Sequence, residues 1–258
     1  MKKTISILII IALTAAFFSF AACKKTRPEN GETTTSAEYT KGSTSAPVEI
    51  VKLPEAQSER IEMFNAALDY VDVYCYKYTK SVKCTVSNIN VGSLSAASNA
   101  ADAFKSIFGS ADYRSDYNYE TAPESFSENF IGKRFSTGDI SSADIRQDGG
   151  NIVLTVKFPN ESNPSENSGM LSKLSSEYMN AAKIAENLGE FSSSAGSVNV
   201  SASEITAVAT VNAHDSSLQK LVISYNENFS LGSVKLVQLE GSSVTASSKT
   251  VITYSGIG

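Results

Sequence analysis

Residues 197–231 read SVNVSASEITAVATVNAHDSSLQKLVISYNENFSL, and their alternation decides the fold. Apolar side chains recur at every second position: Val198 and Val200, then Ile205, Ala207, Ala209 and Val211, and after a break Leu221, Ile223, Tyr225, Phe229 and Leu231. A period of two puts these side chains on one face of extended strands and polar ones on the other. The break, His214-Asp215-Ser216-Ser217, has the composition of a polar turn between two strands. The pattern resumes at Val234 and Leu236 and again from Val244 to Tyr254, so the C-terminal part reads as a long meander.

Working outward, residues 139–158 read as a hairpin: Asp148-Gly149-Gly150-Asn151 turns between a strand over 140–146 and a second with Ile152, Leu154, Val156 and Phe158 on one side. Val153 puts apolar bulk on the other side too, so that second strand is expected in the sheet interior. Three segments have helical spacing. Ile61, Phe64, Leu68, Val71 and Cys75 form one stripe; Ala97, Ala101, Phe104 and Phe108 form a second, with Gly109 as C-cap; Leu171, Leu174, Tyr178, Ala181, Ala185 and Leu188 form the third, closed by Gly189. Residues 82–86 alternate as a strand and change phase at Ile89 and Val91, the mark of a bulge. Helices and strands that do not strictly alternate, with hairpin connections, indicate α+β: a curved antiparallel sheet with about three helices packed on one face.

The N-terminus is an address. Met1-Lys2-Lys3 is followed by sixteen uncharged residues, ISILIIIALTAAFFSF over 5–20. That run is short for a spanning helix, which needs roughly 20 residues, and suits the apolar part of an export signal. It ends in Phe20-Ala21-Ala22-Cys23. This resembles the lipobox of bacterial lipoproteins, with Phe20 where Leu is usual. The resemblance implies a signal peptide over 1–22, cleavage before Cys23, a diacylglyceryl group on the Cys23 thiol and acylation of its amine. Two or three acyl chains anchor far more firmly than one. Loss of 1–22 removes Lys2 and Lys3 and leaves 20 basic residues against 27 acidic, a charge of −7 in place of −5. Residues 24–47, KKTRPENGETTTSAEYTKGSTSAP, hold no aliphatic larger than Ala and read as a flexible tether with a typical reach of about 27 Å. Residues 48–258 suit one α+β domain or two closely packed halves. In layout, this body behind a Ser/Thr-rich linker resembles uncharacterised lipoprotein families of Gram-positive anaerobes, without a diagnostic motif that carries over any functional residue.

Composition narrows the chemistry. The chain has 258 residues, 41% hydrophobic and 19% charged, with 3 Cys, one His and no Trp. There is apolar content for a core, and no cationic excess to neutralise phosphates, so nucleic acid is not an expected partner. A single His removes His-rich metal sites and most acid–base relays. His214, Asp215 and Ser216 are adjacent in one turn, whereas a hydrolase triad converges from separate elements. No nucleophile elbow, Ser-x-x-Lys, zinc-protease or phosphate-loop motif occurs, so no cofactor, no metal and no catalytic residue is expected.

Two features remain. With Cys23 acylated, Cys75 and Cys84 are left as a pair, either a disulfide outside the cytoplasm or two buried free thiols. Residues 111–135 interleave Asp112, Asp116, Glu120, Glu124 and Glu128 with Tyr113, Tyr117, Tyr119, Phe126, Phe130 and Phe135. The acids lack the Asp-x-Asp-x-Asp-Gly pattern of a calcium loop. Rings with carboxylates suit a carbohydrate or peptide surface, with Tyr113, Tyr117 and Tyr119 as its platform. The alternative is a long connection whose rings pin it to the sheet and whose charges solvate its rim.

The functional expectation is a lipid-anchored protein of the cell membrane, facing outside the cytoplasm, whose non-catalytic domain binds an apolar or amphipathic ligand or a peptide between sheet and helices. With two membranes around the cell, the outer one is favoured, because Lys24 is not an acidic retention signal. The alternative is a structural or interaction protein of the envelope contacting wall polymer or a protein partner, and a carboxylate-only hydrolase comes third.

Overall fold

The computed structural model describes residues 52–92, 100–131, 133–165, 169–190, 193–236, 239–240 and 243–258. The signal segment, Cys23 and the tether lie outside the described residues. The described residues belong to one compact unit.

The long alternating segments are the centre of the molecule. Strand β7 (Ser197–Asn212) pairs with β8 (Leu218–Gly232), which pairs with β11 (Val244–Ser255), which pairs with β1 (Lys77–Asn90), all antiparallel. The sheet extends on one side to the edge strand β2 (Ala111–Asn118) and on the other through β4 (Asn151–Lys157) to the edge strand β3 (Ser142–Asp148). Its order is β2-β1-β11-β8-β7-β4-β3, and two-residue β5 (Glu161–Ser162) adds to β7. A small second sheet joins β6 (Ser193–Ser194), β9 (Lys235–Leu236) and β10 (Leu239–Glu240). The main sheet is open. As expected, β4 is interior, and the β3–β4 turn falls at Gly149-Gly150.

Alternation gives the sheet one covered face. Even-numbered residues of β1 and β11 and odd-numbered residues of β8 are buried, and the register sets them side by side: Cys84, Thr250 and Tyr225 form one transverse row, Val82, Ile252 and Ile223 the next. The bulge expected from the phase change at Ile89 is present, with Asn88 at φ 54° between Ser87 and Asn90, and β7 carries a second one that was not expected, with Glu204 at φ 54° between Ser203 and Thr206.

Helix α1 (Gln57–Tyr74) buries the predicted stripe of Ile61, Phe64, Leu68 and Val71 against β3, β4, β7 and β8. Each such side chain contributes about 1.5–3 kcal/mol of burial. Arg134 reaches back to Asp69 and Asp72, at 2.6 Å each, and ties the connection after β2 to α1. Helix α2 (Ala100–Ile107) lies over β1 and closes at Gly109, whose φ of +76° only glycine adopts cheaply.

The antiparallel α+β fold is the one read from the sequence, and three details of it are corrected. Five helices occur among the described residues, not about three: besides α1 and α2 there are α3 (Pro123–Glu128), α4 (Met170–Leu174) and α5 (Ala181–Glu190). The continuous helix expected over 171–188 is broken, because residues 175–180 leave the helix and cross the covered face, and Gly189 lies inside α5 rather than ending it. Residues 111–135 are not one long connection, since their first eight residues are strand β2. The remainder behaves as the pinned loop: Phe126, Phe130 and Phe135 are buried, and Tyr78 Oη donates to the Phe126 carbonyl at 2.7 Å.

Candidate functional site

The apolar face is not apolar throughout. One hydrophobic cluster gathers under α1 and a second under α2 and α5, and between them the covered face carries Lys80, Cys84, Tyr225, Glu227, Ser248 and Thr250. Lys80 and Glu227 are 1% and 0% exposed, ionisable groups set into positions that alternation reserves for apolar ones. A charge buried without a partner is expensive, so both must be matched.

The match comes from residues 175–180, a strap laid across the sheet between α4 and α5. Ser175 is fully extended (φ −163°, ψ 156°), and its hydroxyl accepts the Glu177 N–H at 3.0 Å. Asn180 Oδ1 accepts the Lys183 N–H at 2.9 Å and so caps α5. Between them, Lys80 Nζ reaches Glu177 Oε1 at 2.6 Å, and the Met179 N–H donates to Glu227 Oε1 at 2.8 Å. Ser248 Oγ donates to Glu227 Oε2 at 3.3 Å. Burial raises the Glu227 carboxyl to about 7, while the Met179 N–H, the Ser248 hydroxyl and the Lys183 charge pull it down. Beside it, Tyr225 Oη and Thr250 Oγ1 are buried and have no hydrogen-bond partner among the described residues.

A cleft of about 510 Å3 opens beside the strap. Its floor is Lys80 and Tyr254 of the sheet. One wall is residues 127–130 with Lys133, the other α4 and the strap, with Lys183 entering from α5. Phe130, Tyr178, Leu174 and Tyr254 supply apolar surface. Tyr254 is held from behind by Tyr78 (centroids 5.7 Å) and Phe130 (4.9 Å), and its hydroxyl donates to the Asn129 carbonyl at 3.2 Å. Four lysines line the cleft against the single acid Glu128, on a chain whose net charge is −5. Lys173 pairs with Asp139 at 2.6 Å, Lys183 Nζ donates to the Ser176 and Tyr178 carbonyls, and Lys133 is exposed at the rim. A smaller hollow of about 290 Å3 beside β5, lined by Asn163, Asn199 and Asn228 among others, holds no ionisable side chain.

The residues singled out in the sequence fall elsewhere or in part. Tyr113 and Tyr117 stand on the covered face of β2, opposite Val82 and Tyr78. Tyr117 stacks on Tyr78 at 5.0 Å, and Tyr113 has the Glu177 carboxylate beside its hydroxyl. Tyr119 lies past the strand, half exposed, edge-on to Phe126. The three do not form one outward platform. The five acids are all exposed, with Asp112 and Asp116 on the open face of β2, and Glu128 alone among them lines the cleft. Cys75 and Cys84 are two buried free thiols. The disulfide alternative fails because β1 runs extended from Lys77 through Cys84, which carries the two about 23 Å apart or more, far beyond a disulfide's reach. His214 is an exposed turn residue whose N–H goes to Asn212 Oδ1. Among the described residues no three His, Cys, Asp or Glu side chains converge as a metal site, and no helix is long and apolar enough to cross a membrane.

Sequence reasoning passed over Lys80, Glu177 and Glu227. The signal was there: Lys80 interrupts Tyr78-x-Lys80-x-Val82, and Glu227 interrupts Tyr225-x-Glu227-x-Phe229. An ionisable residue in phase with the apolar face of a strand marks a place where the core has another task. Comparison with known proteins gives no match among family models, curated proteins or solved structures.

Proposed function

We propose that this chain is a lipid-anchored binding protein outside the cytoplasm, held in the membrane through acylated Cys23, whose non-catalytic domain takes a small amphipathic ligand or a peptide end in the cleft between the sheet and the strap. The observation that carries the reading is the cleft itself: about 510 Å3, with an aromatic floor and an amine-rich rim. Its volume lies in the range of small-molecule sites, and its mixture of apolar walls with a few convergent polar groups is what such sites use to hold and orient a ligand. The Phe20-Ala21-Ala22-Cys23 motif and the polar tether support the anchored placement. The test is native mass spectrometry after incubation with lipid and peptide extracts. A retained mass that Tyr254→Ala or Tyr178→Ala releases is the expected result, and a protein that retains nothing refutes the reading.

A second reading, contact with an envelope partner, is favoured by one observation. Val73, Tyr74, Tyr76 and Tyr119 are large apolar side chains left exposed at the end of α1 and the start of β1, where the Tyr119 N–H bonds the Tyr76 carbonyl at 2.7 Å. Crosslinking on cells that depends on Tyr74 and Tyr76, and not on the cleft, would select it.

A further inference from the structure

We infer that the cleft recognises an oxyanion-headed amphipath, and that Lys80 is the head-group anchor which Glu177 occupies when no ligand is bound. The inference rests on the cleft reading above and names the ligand's chemistry within it.

The argument starts from donor arithmetic. An ammonium carries three N–H donors. Lys80 is 1% exposed, so water cannot be counted on to fill them, and the one acceptor it meets among the described residues is Glu177 Oε1, at 2.6 Å. Lys80 is one of the residues lining the cleft, so an acceptor entering there approaches it from the side that Glu177 covers. A buried cation satisfied at one of three positions, and covered on the cleft side by a carboxylate from the strap, is a site for another oxygen ligand once that carboxylate moves.

The source of the first oxygen is equally informative. Glu177 comes from the strap, which no helical hydrogen-bond ladder holds, and its side chain is 20% exposed against 2% for Lys80. Turning it to solvent gives up the Lys80 pair and the Tyr113 hydroxyl, contacts that a ligand oxyanion in the same place remakes, whereas Lys80 cannot leave the core. The carboxylate of Glu177 therefore occupies the place of a ligand's carboxylate or phosphate and can be exchanged for it. The surroundings agree: Lys173 is paired with Asp139, and Lys133 and Lys183 add positive charge against Glu128 in the same cleft, which disfavours a cationic head. The tail meets Phe130, Leu174, Tyr178 and Tyr254.

The experiment compares decanoate, decyl phosphate and decanol by isothermal titration on the wild-type chain, Lys80→Met and Glu177→Gln, with thermal unfolding of each as a control. A charge-assisted hydrogen bond is expected to favour the anionic heads over decanol by about 10-fold to 100-fold. Lys80→Met is expected to shrink that preference by about 10-fold, with decanol affinity in the same variant as the reference for any change in the cleft itself. Glu177→Gln, which removes the internal competitor, is expected to tighten the anions by several-fold and not decanol. The tighter of the two anions identifies the head group as carboxylate or phosphate. Equal binding of all three by the wild type overturns the inference and leaves the cleft reading standing. Anion binding that survives Lys80→Met intact also overturns it. No binding of any of the three overturns the inference, and the cleft reading is then decided by the mass-spectrometric test with extracts. If Lys80→Met fails to unfold cooperatively, Glu177→Gln decides alone: anion affinity that does not rise refutes the exchange.

Discussion

Glu227→Gln is expected to stabilise the fold at neutral and alkaline pH and to do nothing at pH 4.5. The carboxyl is raised from its ordinary 4.5 to about 7, chiefly by burial. At about 1.4 kcal/mol per unit, that difference is worth about 3 kcal/mol. Between pH 4.5 and 7 the folded protein holds the proton and the unfolded chain has released it, so the folded state loses stability as pH rises through this window and the loss levels off above it. Gln keeps the geometry: its carbonyl accepts the Met179 N–H, its amide faces the Ser248 hydroxyl, and it never ionises. The groups around it are Lys183, which favours the anion, Cys84 and Tyr225 of the neighbouring transverse row, and Glu177 of the strap. Urea denaturation followed by circular dichroism at half-unit steps from pH 4.5 to 8 reads the difference between wild type and variant. Asp139, held down to about 2 by Lys173 and Ser136, titrates below this window in both proteins and cancels. The variant should gain steadily to about 3 kcal/mol by pH 8. A difference that is flat with pH, or that favours the wild type at high pH, refutes the placement of Glu227 as a carboxyl whose burial resists ionisation.

Alkylation under denaturing, non-reducing conditions should add to both Cys75 and Cys84, while the folded protein reacts slowly, since burial raises the Cys75 thiol to about 11; a chain two hydrogens lighter with no adduct would show a disulfide. Gly109→Ala should cost about 1–3 kcal/mol in thermal or urea unfolding, because the position has φ +76° and a new Cβ would stand 2.8 Å from Met179 Sδ; an unchanged midpoint refutes the argument. Cys23→Ala should abolish incorporation of labelled acyl chains and release the protein from the membrane fraction, and label retained by the variant would remove the anchor proposal.

The elements easiest to read from sequence were those in which periodicity and burial agree. The strands β7, β8 and β11 and helix α1 carry one apolar face each, and nothing competes with that face for their conformation. The β3–β4 hairpin was legible because Gly149-Gly150 supplies a turn at a strand-pairing distance. Strand β2 was not, since Ala111–Asn118 has its charges and rings in an order set by an edge position: Asp112, Arg114 and Asp116 point to solvent on the open face, and only Tyr113, Ser115 and Tyr117 meet the covered side. An edge strand buries too little for alternation to show. The cleft was illegible for another reason. Its walls come from residues 127–130, 133, 172–176, 178 and 183 and its floor from 80 and 254, positions that only the strand order brings together.

The break in the third helix follows from the same chemistry as the cleft. Over 171–188 the three-four spacing is intact and by itself calls for an uninterrupted helix, yet the structure buries Ile184 and leaves Ala185 of that stripe exposed. In such a helix, however, the N–H of residue 179 would be bonded to the carbonyl of residue 175 and unavailable to anything else. Glu227 needs that donor: it is 0% exposed and ionises only partly even with it. Interrupting the helix frees the Met179 N–H, swings Glu177 over Lys80, and starts α5 afresh at Asn180, whose positive N-terminal end then lies beside the Glu227 carboxylate. Several helical hydrogen bonds, each worth about 1 kcal/mol net, are exchanged for partners to two buried ionisable groups whose isolation would cost more. The exchange has a signature in the apolar variant: with Lys80→Met and Glu227→Leu together, the strap has nothing left to satisfy. The helix should then close over 175–180, visible as a gain in helical circular dichroism of about one to two turns. A double variant that folds with unchanged helix content would mean that the break is set by Ser175, Ser176 and Asn180 themselves and not by the sheet beneath them.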